Sequence, residues 1–142
     1  MPNSVMRDIN GPDWPLGSII VTVPGTPVNI MSLVDPGITE TTASPLNPEF
    51  TTRFQQITFQ GFKAGAHGLV PNTGNVYIVR KGVGGGTGNR DDYGAIIWVL
   101  TPGQTFILGS AALSQNVFSP YRYFADADNA NDACQVTGLV MG

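Results

Sequence analysis

The amino-acid sequence predicts an all-β protein, a single-domain β-sandwich or small jelly roll of about eight strands. Three observations support this fold class. The 142 residues include 18 glycines and 11 prolines without a Gly-X-Y period, a composition rich in turn formers. Short runs of β-forming residues recur at intervals of roughly 8 to 12 residues, with turn signals between them. No stretch has the apolar spacing that is typical of an amphipathic helix.

Residues 1–17 are predicted to form an extended N-terminal arm, and residues 18–142 the sandwich domain. The arm contains Asn10-Gly11-Pro12-Asp13 and then Trp14-Pro15-Leu16-Gly17, too many turn formers for a regular element. Trp14 is its one aromatic residue. An arm that carries a tryptophan usually lies against its own domain or a neighbouring protein, so we expect this arm to make a contact.

The predicted strands follow in order along the chain. Ser18–Val23 and Thr26–Val34 are predicted to pair as a hairpin around the turn Pro24-Gly25. A long surface connection follows, from Asp35 to Glu49. Alternating apolar and polar residues from Phe54 to Phe62 are typical of a half-buried antiparallel strand. The other predicted elements are strands at Asn75–Arg80, Ala95–Leu100, Gln104–Leu108, Tyr121–Ala125 and Gln135–Val140, loops at Lys63–Gly74 and Lys81–Asp92, and one helical turn within Gly109–Asn116.

The run Ala95–Leu100 (AIIWVL) is apolar throughout. Such a run is expected for a central strand that is buried on both faces of its sheet. The alternative is a strand that lies against a sister subunit. The first interpretation places Trp98 in the core.

Charge and cysteine content exclude several classes of protein. Charged residues make up only 12% of the chain and the formal net charge is −3. The seven Lys and Arg residues are spread along the sequence, without the basic stripe of a nucleic-acid-binding protein. One cysteine rules out an internal disulfide framework. We see no signal peptide and no membrane span, so the expectation is a soluble protein made in a cytoplasm.

The sequence offers no catalytic constellation, and no cofactor or metal is expected. His67 and Cys134 are too far apart for zinc-site spacing, so we interpret His67 as an exposed loop residue and Cys134 as a small residue entering a strand. The glycine run Gly82–Gly88 lacks the residues of a phosphate-binding loop. Asp126–Asp132 fails the EF-hand pattern because Ala130 occupies a ligand position. A looser calcium site and an Asx-rich turn both remain open there.

Five aromatic residues are candidates for a sugar-stacking face, which makes a carbohydrate-binding adhesion module one alternative function. Core packing is the preferred interpretation for Trp98 and for at least one of the two tyrosines. The five residues are Trp14, Trp98, Tyr121, Tyr123 and Phe124.

Three stretches together resemble the small virion proteins of tailed bacteriophages. They are Pro71–Ile78 (PNTGNVYI), Leu100–Gln104 (LTPGQ), and Tyr123–Asp128 (YFADAD) running on to Gln135-Val136. The resemblance implies a β-sandwich structural protein of the phage particle, in particular a head decoration (cement) protein on the capsid surface. It further implies the major capsid protein as partner and a homo-oligomer, with a trimer favoured. Tail, baseplate and head–tail components are the alternative roles within the particle.

Partner contacts are expected first at the arm, through Arg7 and Trp14, because arginine and tryptophan are over-represented among interface hot spots. Arg53, after the long connection, and Arg90, in the glycine-rich loop, are further candidates. For each arginine a solvated surface charge is the alternative interpretation. No nucleic acid and no membrane is expected as a partner.

Overall fold

The computed structural model describes residues 13–32, 54–81, 94–109 and 120–140, and in this part of the chain the fold is all-β. Ten strands and one short 3-10 turn, Pro120–Arg122, make up the described elements. The strands are β1 (Asp13–Ile20), β2 (Val28–Asn29), β3 (Phe54–Gln60), β4 (Phe62–Gly65), β5 (Gly68–Pro71), β6 (Val76–Lys81), β7 (Gly94–Leu100), β8 (Thr105–Gly109), β9 (Tyr123–Ala127) and β10 (Ala133–Val140).

Eight of these strands form two antiparallel four-stranded sheets that pack face to face. The first sheet has the order β1-β10-β3-β8 and the second the order β2-β9-β6-β7. Only β6 and β7 are consecutive neighbours in one sheet, and every other connection crosses from one sheet to the other. This order is that of a jelly roll, so the predicted fold class is confirmed.

The first predicted hairpin is wrong, because its two strands belong to different sheets. β1 pairs with β10, and β2, which is only two residues long, pairs with β9. The turn at Gly25, with φ of +91°, carries the chain across the sandwich instead of back along the same sheet. Strand β1 also begins at Asp13, five residues earlier than expected. The first 12 residues of the predicted arm lie outside the described residues.

The predicted loop Lys63–Gly74 contains a two-stranded ribbon. β4 pairs with β5 around a tight turn at Ala66-His67, and Gly68 there has φ of +123°. His67 is exposed at this turn, as predicted. The ribbon lies between β3 and β6 in the sequence, as an insertion into one of the connections between the two sheets.

The core lies between the sheets and is formed by their inward-facing side chains. Phe54, Ile57 and Phe59 of β3 are fully buried, and β9 is buried along its whole length. Gly138 makes room for the Phe54 ring, because a Cβ at position 138 would lie 2.7 Å from it. Close packing of this kind fixes the register of β3 against the central strand β10.

Candidate functional site

The described residues contain two features that bear on function. One is a set of polar contacts at the end of the sandwich where the β5–β6 and β9–β10 connections meet, which we call the polar junction (Lys63, Asn72, Thr73, Gly74 and Asp132). The other is an apolar surface along the two neighbouring edge strands β7 and β8, which we call the aromatic edge (Ile96, Trp98, Val99, Phe106 and Ile107).

In the polar junction, the Asn72 side chain hydrogen-bonds to the backbone of another segment in the way that a neighbouring strand would. Its side-chain Nδ2 donates to the carbonyl of Ala133 at 2.7 Å, and its Oδ1 accepts from the Ala133 N–H at 3.0 Å. Both groups are buried, so each hydrogen bond also satisfies a polar group that has lost water. Asn72 therefore fixes the β5–β6 connection against the first residue of β10.

Asp132 is fully buried and is surrounded by donors. Its two carboxylate oxygens accept from the backbone N–H groups of Thr73 at 3.0 Å and Gly74 at 2.8 Å. The Thr73 hydroxyl lies 3.0 Å from both oxygens, and Lys63 Nζ lies 3.2 Å from Oδ1. Burial on its own raises the pKa of Asp132, but these hydrogen bonds and the Lys63 charge outweigh it, so the pKa lies below its usual value.

The turn Thr101–Gln104 is joined to the same end of the molecule through Gly61. The Gly61 carbonyl accepts from Asn72 N–H at 3.1 Å and from Gly103 N–H at 2.9 Å. The turn closes with Gln104 N–H donating to the Thr101 carbonyl at 2.9 Å, and Gly103 has φ of +79°. Parts of Pro71–Ile78, Leu100–Gln104 and Tyr123–Asp128 thus lie at one end of the sandwich, where polar contacts hold the loops in place.

In the Asp126–Asp132 segment, the aspartate side chains accept hydrogen bonds from backbone N–H groups and a tyrosine hydroxyl. Asp126 Oδ1 accepts from the N–H groups of Gly25 and Ala127 at 2.9 and 2.8 Å, and Asp128 accepts from the Tyr77 hydroxyl. Asn131 has a left-handed backbone with φ of +70°. Within residues 13–32, 54–81, 94–109 and 120–140, no three His, Cys, Asp or Glu residues are grouped so that they can hold a metal ion.

The aromatic edge begins with a series of stacked rings that leads from the core to the surface. Phe59, which is fully buried, lies beside Phe106 with ring centroids 6.2 Å apart. Trp98 stacks on the other side of Phe106 at 4.8 Å, with the ring planes only 4° from parallel. The indole is 41% exposed, so the interpretation of Trp98 as a core residue is wrong. It lies at the open side of the sandwich because β7 is the last strand of its sheet.

A β-bulge distributes the apolar residues of β7 over both faces. The register with β6 shifts between Ile78 and Val79, so that Ile97 is an extra residue without a direct partner. Ile97 packs against the core, whereas Ile96 and Val99 are exposed. Ile107 of β8 is also exposed, but it pairs with Thr58 on the outer face of the other sheet. The exposed fractions of Ile96, Trp98, Val99 and Ile107 lie between 40% and 53%.

The expectation that Ala95–Leu100 is a central strand is therefore wrong, because β7 is an edge strand. Sequence reasoning missed these residues as candidates, although the run has a signal that favours the alternative. An uninterrupted apolar strand without a charge or a proline lacks the usual means by which proteins protect a sheet edge.

The predicted contact residues are placed only in part. Arg7, Arg53 and Arg90 lie outside the described residues. Trp14 belongs to β1, where its backbone pairs with Gly138, and its side chain lies outside the described part of the structure.

The predicted sugar-stacking face is not formed as expected. Tyr121, Tyr123 and Phe124 are all buried, and burial raises the pKa of the Tyr123 hydroxyl, although Arg80 and Arg122 lower it. At least one of the two tyrosines was expected in the core, and both are there. Trp98 is the one exposed ring among the four candidates with described side chains.

Cys134 lies at the start of β10, as predicted, and the structure shows that it is buried. Its thiol is fully buried, and this burial raises its pKa to about 12. A thiol that stays protonated and inaccessible is a poor nucleophile and a poor metal ligand. Cys134 therefore acts as a small apolar side chain in the core.

No family model, curated protein or solved structure matches this chain. The described residues include no helix that is long and apolar enough to cross a membrane.

Proposed function

We propose that this chain is a structural protein that acts by binding other proteins, and specifically a head decoration (cement) protein on the outside of a tailed-phage capsid. The observation that carries this proposal is the aromatic edge. A partly exposed tryptophan, stacked on a ring that leads into the core, is a rigid apolar anchor of the kind found at the centre of protein interfaces.

The composition of the aromatic edge supports protein binding over catalysis. Neither β7 nor β8 contains a charged residue, and interface centres are depleted in charge. Its half-exposed side chains lie on both sides of this edge, with Ile96 and Val99 on the outer face of one sheet and Ile107 on that of the other. The titratable groups of the polar junction are instead occupied by structural hydrogen bonds.

The phage assignment depends on the resemblance of the three sequence stretches, and the jelly roll is compatible with it. A cement protein stabilises a shell by burying surface against its subunits, which requires a rigid scaffold and a contact surface. The jelly roll supplies the rigid scaffold, and the aromatic edge supplies the contact surface. The segment 1–12 with Arg7, together with Trp14 in β1, is the second proposed contact with the major capsid protein.

Copy number in purified particles tests this proposal. Quantitative mass spectrometry measures this chain against the major shell protein in particles from its source. A count comparable to that of the shell protein supports decoration. A handful of copies per particle points instead to a tail, baseplate or head–tail role, and absence from particles rejects both.

A binding experiment then tests which surface is used. Purified shells that lack this chain are incubated with wild-type protein, with a deletion of residues 1–12, and with Val99→Lys. Ile20→Lys is the matched control, because Ile20 is also an exposed apolar residue, at 52%, but lies on β1. Reduced occupancy for the deletion or for Val99→Lys, with full occupancy for Ile20→Lys, is the expected result.

A further inference from the structure

We draw no further inference here: the strongest candidate, the exposed apolar surface that Leu69 and Val70 form on the β4–β5 ribbon, carries nothing because no feature in the described part of the structure shows what covers it.

Discussion

Asp132 shows how one buried charge fixes a loop and a strand against the start of β10. The carboxylate receives two backbone N–H groups and a hydroxyl from the β5–β6 connection and an ammonium from β4, so each of these segments is fixed against the start of β10. A buried carboxylate is costly unless it is fully hydrogen-bonded, and here the donors are supplied. Its removal leaves those donors without an acceptor.

We expect Asp132→Asn to destabilise the protein by about 2–3 kcal/mol, because the amide nitrogen then faces buried donors and Lys63 loses its partner. Chemical denaturation of both proteins measures the difference. Asp128→Asn is the matched control, since the Asp128 side chain is exposed and hydrogen-bonds to Tyr77, and its cost is expected to stay below about 1 kcal/mol. Equal costs for the two variants contradict this assignment.

The same residue predicts the direction of a pH effect. The pKa of Asp132 is lowered in the folded protein, so its stabilising contribution is present above the ordinary value of 3.8. The contribution is lost as the pH falls through the lower folded pKa. Melting temperatures of the wild type and Asp132→Asn are therefore expected to converge under strongly acidic conditions. A gap that stays constant as the pH falls is the contrary result.

Gly138 is predicted to tolerate no side chain while Phe54 is present. Gly138→Ala places a methyl group 2.7 Å from the Phe54 ring, and overpacking of this kind costs about 1–3 kcal/mol. Phe54→Leu replaces the ring with a smaller side chain. In the double variant it is expected to recover some of the cost of Gly138→Ala. Denaturation of the two single variants and the double variant measures the coupling. Additive costs imply that the two residues do not share this space.

At the scale of elements, most strands were predictable from local pattern but their partners were not. Alternation identified β3, and β-forming runs identified β6 and β8 to within one or two residues. The position of β7 at an edge depends on the order of strands in its sheet, which no local pattern contains. The β4–β5 ribbon was missed because Gly, His and Pro residues at its turn and ends resemble a loop.

The Thr101–Gln104 turn carries its own prediction. Gly103 has φ of +79°, which favours glycine, but a Cβ there meets only ordinary contacts at 3.7 Å. Gly103→Ala is thus expected to cost about 1 kcal/mol through backbone strain alone. Gly103→Asn is expected to cost less, because asparagine adopts this conformation more readily. Thermal unfolding of the two variants distinguishes strain from a steric clash, which affects the larger Asn more.

At the scale of the whole molecule, Cys134 reports on the opening of the sandwich. It lies in β10 between β1 and β3 and is fully buried in the core. A thiol reagent therefore reaches it only when the first sheet separates from the second or its strands come apart. Labelling under native conditions is expected to be slow and to accelerate in Asp132→Asn by about tenfold for each 1.4 kcal/mol of lost stability. Rapid labelling of the wild type contradicts the burial of this residue.

The candidate site was predictable only in outline. The alternative interpretation of Ala95–Leu100 as a strand against a sister subunit left its residues exposed, yet the preferred interpretation put Trp98 in the core. Hydrophobicity alone cannot separate a buried strand from an apolar edge, because both have the same composition. No local pattern indicated the polar junction either, because Asn72 and Asp132 are 60 residues apart in the sequence.

The strand order has a consequence for how the chain is made. In each sheet a strand from the last fifth of the described chain lies between two earlier ones: β10 separates β1 from β3, and β9 separates β2 from β6. Neither sheet can form all of its strand pairs before residues 123–140 have left the ribosome. β1 and β3 therefore remain without their shared neighbour until β10 has been synthesised, and the first sheet forms only after that point.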